Sequence, residues 1–358
     1  MTYIFGSIKL LFFFLVATTL WHNSEGCSDR LPIQYCSSYK VFCDSAGFKD
    51  YLAVNCPLTC NRCKKGQTTT SQPIRTTRRT NTILQEPGRK NVESCGSTKP
   101  GYTKIIGGRN TKPGNSPWQV VLNRENYSKG RFCGGVLISQ EFVLTAAHCF
   151  DNQRNFSKYE VIVGVHDLNT VNRWQQSFKI QHVFIHPKYS QSGVDYDSAL
   201  IQIKGKVRYN DRVRAACLPD ETMNFDAGTM CTISGWGNVK EKESGPAIMQ
   251  TAQVPLVNRK ICNTTFHQKH KYTVTSRMLC TAHQNGTIGP CDGDSGSPLV
   301  CKAVSPDSGE EIWYVWGTIS WGLGCARKGL YSVHANVKYF LSWINSTVFP
   351  KKRSVLTT

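Results

Sequence analysis

The sequence predicts an all-β sandwich or barrel over its C-terminal two thirds, closed by one helix and preceded by a small cysteine-stapled unit. Three observations carry that reading. From Cys95 onward, short β-rich runs recur between Gly, Pro, Asn and Asp breaks, at residues 118–122, 136–138, 160–163, 199–203 and 315–319. That pattern belongs to a sandwich or a barrel. One late segment near residues 337–348 instead sets Phe340, Leu341, Ile344 and Val348 at helical spacing. Residues 27–63 hold six cysteines, Cys27, Cys36, Cys43, Cys56, Cys60 and Cys63. So short a stretch cannot bury a self-sufficient core, so cross-links must carry its fold.

In chain order, residues 1–26 read as a cleaved signal peptide. Lys9 precedes an apolar run at residues 10–17, and Ser24 and Gly26 suit a cut before Cys27. The run is too short to span a bilayer stably, and no second apolar stretch of spanning length follows. The expectation is a secreted, extracellular protein without a membrane span, with storage in secretory granules or venom capsules left open. The even total of 16 cysteines then reads as a disulfide framework.

The net charge is +19. Part of the excess lies in residues 64–94, where Lys64, Lys65, Arg75, Arg78, Arg79, Arg89 and Lys90 face only Glu86 and Glu93. That segment is rich in Thr, Arg, Lys and Gln and poor in apolar side chains, as a solvated linker is. A secreted, disulfide-rich chain argues against nucleic acid as the partner of this charge. Sequons stand at Asn126, Asn155, Asn263, Asn285 and Asn345.

Zinc competes with disulfides as the staple of residues 27–63. The segment has no histidine and no paired C-x-x-C knuckles, which favours disulfides. Spacing alone leaves every pairing of six cysteines open. The pattern Cys27-x-Asp29, Tyr35-Cys36, Cys43, Asn55-Cys56-Pro57-x-Thr59-Cys60-x-x-Cys63 resembles the ShK toxin-like (ShKT) module. The resemblance implies Cys27–Cys63, Cys36–Cys56 and Cys43–Cys60. Channel-blocking members carry Lys-Tyr before the fourth cysteine, whereas this chain has Asp50-Tyr51. An acid opposes plugging a ring of carbonyl oxygens. The module therefore reads as a binding or localising unit whose ligand is unassigned.

Three later stretches carry the chemistry. In residues 290–298 Ser295 is flanked by glycines, which let the backbone turn sharply and approach a substrate. Such a serine is a nucleophile when a base lies within reach, and a plain surface turn otherwise. Leu144-Thr145-Ala146-Ala147-His148-Cys149 supplies a histidine among small residues, and Asp195-Tyr196-Asp197-Ser198-Ala199 an acid before an apolar strand. Singly these are ordinary. Together, with Lys104-Ile105-Ile106-Gly107-Gly108, Pro117-Trp118-Gln119, Cys133-Gly134-Gly135, Ser234-Gly235-Trp236-Gly237 and Ser320-Trp321-Gly322, they resemble the chymotrypsin-like serine proteases over residues 95–348. Ser297 departs from that pattern, where glycine is usual.

The resemblance implies two six-stranded antiparallel β-barrels with a C-terminal helix. With the readings above, the chain divides into a signal peptide at 1–26, the ShKT module at 27–63, a basic linker at 64–94, an activation peptide at 95–104, the protease domain at 105–348 and a basic tail at 349–358. His148, Asp197 and Ser295 would form the triad and the N–H groups of Gly293 and Ser295 the oxyanion hole. The remaining cysteines would pair as Cys95–Cys217, Cys133–Cys149, Cys231–Cys301, Cys262–Cys280 and Cys291–Cys325. Cleavage of the Lys104–Ile105 bond would free an α-ammonium to pair with Asp294.

The substrate pocket would be formed by Gly289, Asp292, Ser320, Trp321, Gly322 and Gly329. Without a carboxylate at Gly289 the pocket would prefer large apolar or aromatic residues, since burying an unpaired cation is costly. Activation after Lys104 would then need a separate trypsin-like protease. No cofactor and no metal is expected: Val165 and Gln175 stand where calcium-binding relatives carry acids. The partners are protein or peptide substrates. The competing reading is a ShKT toxin or binding protein, for an ion channel or matrix ligand, with the protease part secondary.

Overall fold

The computed structural model describes residues 43, 57–62, 95–98, 109–125, 131–151, 153, 155–241, 243–282, 286, 288–304 and 309–349. The expected signal peptide, the linker at 64–94, the Lys104–Ile105 bond, the Cys27–Cys63 and Cys36–Cys56 pairs and all of the tail but Phe349 lie outside these residues.

A two-residue strand, β1 (Arg109–Asn110), leads into six antiparallel strands: β2 (Gln119–Arg124), β3 (Arg131–Leu137), β4 (Phe142–Thr145), β5 (Tyr159–Val163), β6 (Gln176–Ile185) and β7 (Ala199–Ile203). They close in the order β2-β3-β4-β7-β6-β5. Side chains alternate across a strand, and β5 follows the rule: Tyr159, Val161 and Val163 are buried, while Glu160 and Ile162 are half-buried. Closure leaves no unpaired edge.

The second barrel comprises β8 (Met230–Gly235), β9 (Gln250–Val257), β10 (Met278–Thr281), β11 (Pro298–Val304), β12 (Glu311–Gly322) and β13 (Ser332–Asn336). It runs β9-β10-β13-β12-β11-β8 and closes by pairing of β8 with β9, while β1 adds outside β9. Cys231 and Cys301 are register partners on β8 and β11 and form a disulfide. The two-barrel expectation is met.

Among the described residues two α-helices complete the fold. α1 (Arg259–His270) is absent from the sequence reading. Its amide N-cap, Asn258, accepts the Lys260 N–H at 2.9 Å, and Lys271 ends it in the left-handed region. Only Cys262 and Phe266 of this helix are buried, and Cys262 is bonded to Cys280 on β10. α2 (Val337–Val348) is the expected C-terminal helix. Its Phe340 and Ile344 join the first barrel's apolar core although the helix follows the second barrel. The Cys43–Cys60 disulfide shares an apolar cluster with Cys262, Phe266 and Val333. Among the described residues no helix is long and apolar enough to cross a membrane.

Candidate active site

The site lies where the barrels meet, and each barrel contributes. His148 sits on a 3-10 turn (Ala147–Phe150) directly after β4. Ala146 and Ala147 are fully buried, so the turn has no room for larger side chains there. The Cys133–Cys149 disulfide ties the turn to β3. Asp197 precedes β7 and is 3% exposed. Its Oδ2 lies 2.8 Å from His148 Nδ1, and its Oδ1 accepts the His148 backbone N–H at 2.9 Å. An ionised carboxylate only accepts, so Nδ1 carries the ring proton and Nε2 is left as the base. Ser320 at the end of β12 donates its hydroxyl to Asp197 Oδ2. Burial opposes a charge on His148, but the Asp197 hydrogen bond and the charges of Asp197 and Asp151 outweigh it and raise the imidazole above its usual range.

Ser295 lies in a turn before β11 pinned by short backbone bonds. Gly134 N–H donates to Ser295 O at 2.7 Å, Gly296 N–H to Ile319 O at 2.8 Å and Ser297 N–H to Asp294 O at 2.9 Å. Gly293 and Gly296 have φ of +95° and +78°. A Cβ on Gly296 would stand 2.2 Å from Thr145 Oγ1 and 2.5 Å from Gly134 O. Only glycine fits, and the serine's turn is thereby pressed against the segment that carries His148. Among the described residues neither the Gly293 nor the Ser295 N–H has an acceptor, so both are open to a ligand oxygen.

Ser297 has a local explanation. It is 1% exposed, and its hydroxyl accepts from Gln119 Nε2 at 3.1 Å. Gln119 Oε1 in turn accepts from Ser234 Oγ at 2.6 Å. The hydroxyl fills the space opposite Gly134, where a Cβ would come within 2.1 Å of it.

A cavity of about 420 Å³ beside Ser295 is lined by Pro290, Cys291, Asp292, Ser320, Trp321 and Gly322, and also by Glu241, Gly324, Cys325 and Ser332. Of the residues expected there, Asp292, Ser320, Trp321 and Gly322 line this cleft, and Gly289 and Gly329 are not among its lining residues. Gly289 lines a separate cavity, and a Cβ on it would meet Ala326 at 3.4 Å and Ser332 Oγ at 3.5 Å. The nearest side-chain atom to a Cβ on Gly329 is Lys269 Nζ, at 3.8 Å. The loop at 325–329 packs Ala326 against Gly289, whose other near neighbour, Ser332, belongs to the cleft lining.

Glu241 was missed by the sequence reading. It stands among Lys240, Lys242 and Glu243, a run indistinguishable from a solvated loop. Arg327 grips it with Nε to Oε1 at 2.7 Å and Nη2 to Oε2 at 2.8 Å, and the Cys325 N–H adds a bond at 3.0 Å.

Asp294 faces the other way. Its Oδ1 accepts the Gly237 N–H at 2.8 Å and its Oδ2 the Cys291 N–H at 3.1 Å. It borders the separate cavity of about 390 Å³, whose apolar walls include Ile233, Ala252, Ile288 and Ile319. Described disulfides join Cys43–Cys60, Cys95–Cys217, Cys133–Cys149, Cys231–Cys301, Cys262–Cys280 and Cys291–Cys325. The sulfurs near His148 and Asp292 belong to such bonds and are not thiolate ligands.

Two family models match the chain: one described as Trypsin over residues 105–344, the other as ShK domain-like over residues 26–63. The chain is 35% identical over 247 residues to the atrial natriuretic peptide-converting enzyme of Homo sapiens, covering 69% of this chain and 23% of that protein. The Mus musculus and Rattus norvegicus proteins of the same name are 35% and 34% identical over the same length, with 21% of each covered. The chain therefore spans less than a quarter of these relatives.

Proposed function

The chain belongs to the trypsin family and is a serine endopeptidase with an ShK-like domain, and on that premise we propose a secreted zymogen whose catalytic triad is Ser295, His148 and Asp197. The observation that carries the assignment is the 2.8 Å contact between a buried Asp197 and His148 Nδ1, beside the cleft that Ser295 lines. Ser295 Oγ attacks the scissile carbonyl carbon as His148 Nε2 takes its proton. The carbonyl electron pair moves onto oxygen, where the N–H groups of Gly293 and Ser295 receive it. One such donor contributes about 3 kcal/mol to the barrier reduction. Collapse expels the amine, which takes the proton from Nε2. Water then attacks the acyl-enzyme by the same route and releases the acid.

The proposed preference at the cleft is for large apolar or aromatic residues. Neither Gly289 nor Pro290 offers a carboxylate, Glu241 is engaged by Arg327, and Asp292, the other carboxylate of the lining, is exposed to solvent. Activation follows cleavage of the Lys104–Ile105 bond in trans, because this cleft disfavours lysine. The freed ammonium of Ile105 pairs with Asp294, and the apolar cavity beside that carboxylate suits an isoleucine side chain. This ion pair orders the 293–295 turn, a two-state element biased by proteolysis. Cys95–Cys217 keeps residues 95–104 attached afterwards. The domain limits are those of the sequence reading, with catalysis in residues 105–348.

The test is hydrolysis of Phe-, Tyr-, Leu- and Arg-ended chromogenic peptides after trypsin treatment, with Ser295→Ala as control. Turnover of the Phe and Tyr peptides, absent from the variant, supports the whole reading. Turnover confined to the Arg peptide refutes the preference alone. No turnover of any peptide, with retained binding to channels or matrix, favours the ShK-like domain as the working part. Acetylating the Ile105 amine should abolish activity, and retained activity would overturn the Asp294 mechanism.

A further inference from the structure

We propose that Arg277 is a positioning residue for Asp197, holding it from the opposite barrel through Asp195 and Tyr196. The inference rests on the triad reading above.

The loop before β7 is backbone-strained just where it presents Asp197. Val194 and Tyr196 have φ of 46° and 55°, in the left-handed region. A β-branched and a bulky aromatic residue rarely adopt it, and such conformations persist only where the surroundings impose them. Those surroundings come largely from the second barrel. Asp195 Oδ1 accepts from Arg277 Nε at 3.0 Å and from Thr275 Oγ1 at 3.1 Å, and Asp195 Oδ2 from Arg277 Nη2. The same oxygen, Oδ1, accepts the Tyr196 N–H at 2.8 Å. The Arg277 guanidinium lies 4.6 Å from the centre of the Tyr196 ring. His186 stacks on that ring at 5.0 Å and 20°. Tyr196 O accepts the Ser198 N–H at 2.7 Å, so the residues on either side of Asp197 are joined.

Arg277 stands immediately before β10, whereas Asp195 and Tyr196 precede β7 of the first barrel. One guanidinium thus uses its fork on Asp195 and its face on Tyr196. Burial opposes ionisation of Asp195, but the hydrogen bonds from Arg277 and the Tyr196 N–H and the Arg277 charge hold it below the usual carboxylate range. None of these three residues lines the 420 Å³ cleft. Loss of the clamp should therefore lower kcat and spare KM, since small displacements of a catalytic group cost up to about a hundredfold.

The experiment compares Arg277→Ala, Arg277→Lys and Arg277→Ala/Tyr196→Asn in the activated full chain, with active sites titrated so that only folded enzyme is counted. Arg277→Ala should lower kcat by about tenfold or more, with KM within about twofold. Lysine keeps the charge without the fork and should fall between. Asparagine tolerates the left-handed region, so Tyr196→Asn should restore kcat in the Arg277→Ala background to within about threefold of the parent. A kcat unchanged in both single variants, or a loss that Tyr196→Asn does not recover, overturns the clamp. If Arg277→Ala yields no titratable enzyme, Arg277→Lys carries the same comparison with Tyr196→Asn. Asp197→Asn is the separate control: if it retains full kcat, the triad reading fails and not merely this one.

Discussion

Gly134→Ala should disable the enzyme, and a change at Ser297 should rescue it. The new Cβ would lie 2.1 Å from Ser297 Oγ and 3.2 Å from Ser297 Cβ. The hydroxyl must swing away, which leaves the buried Gln119 Nε2 only a long contact to Val120 O at 3.4 Å. A buried donor so weakly satisfied costs about 1–3 kcal/mol, and overpacking adds about 1–3 kcal/mol more. Gly134→Ala alone should therefore cost roughly 2–6 kcal/mol. In a Ser297→Gly background both clashing atoms are gone, and the remaining close contact is Gln119 Nε2 at 3.3 Å, the end of a flexible side chain. The second background should recover about 2 kcal/mol, seen as roughly 4–8 °C in Tm for a domain of this size. The double-mutant cycle is best run by urea and thermal unfolding on Ser295→Ala protein, which cannot digest itself. The same series in active enzyme should show kcat following stability, because the Gly134 N–H also holds Ser295 O at 2.7 Å. If the two substitutions add within about 0.5 kcal/mol, the steric account of Ser297 is refuted.

Three further outcomes follow from the same geometry. In the proposed triad His148 acts as the neutral base, and its pKa is raised above 6.5, so kcat/KM should rise with pH to a half-maximum above pH 6.5. Asp151→Asn should move that midpoint down, and a midpoint unmoved by it would contradict the electrostatic cause. His334 is fully buried, its Nε2 2.8 Å from Thr281 Oγ1, and burial lowers its pKa to about 3. The folded state therefore binds fewer protons than the unfolded one below pH 6.5. Stability is full above that value and falls as pH drops towards 3, by about 2 kcal/mol at pH 5. His334→Gln should flatten the acid limb of a urea-unfolding series, and an unchanged slope would remove His334 as its cause. Glu241→Gln frees the loop that Arg327 holds against the cleft, so KM should rise by up to about threefold with kcat unchanged. Both side chains are largely exposed, so added salt should raise the parent's KM towards the variant's value; a salt-independent difference would mean that charge is not the link.

The barrels were legible because their information is periodic and local. Runs such as residues 160–163 and 199–203 carry their burial in their spacing, and they became β5 and β7. The C-terminal helix announced itself in the same way. α1 did not, because only Cys262 and Phe266 are buried and its remaining face is polar. Its cap and its disulfide to β10 supply what its own sequence lacks. In the site, His148, Asp197 and Ser295 were legible as short motifs. The lining was less so, because it depends on how the 325–329 loop folds, which brings Ala326 against Gly289. Glu241 and Arg327 lie 86 positions apart, and Asp195 and Arg277 lie 82 apart. No local pattern marks either pair, since each carboxylate is an ordinary loop acid until the fold brings the arginine to it.

Several polar links between the barrels end next to the proposed triad, among them the Ser320 hydroxyl on Asp197 and the Gly134 N–H on Ser295 O. Ser234 and Ser297 are joined through Gln119 of β2, and Ser297 lies two residues from Ser295. Arg277 reaches Asp195, two residues from Asp197. The apolar contact between the barrels behaves differently: Val300, Val315 and Ala335 of the second barrel share one buried cluster with the first barrel's core. Apolar burial is non-directional and tolerates small shifts, whereas a hydrogen bond weakens steeply with angle and distance. A slight slide of one barrel on the other would therefore leave most of the buried area intact and break these links first. Activity should be lost before global unfolding as denaturant is added, with Ser297 and Tyr196 as the points where the slide is felt.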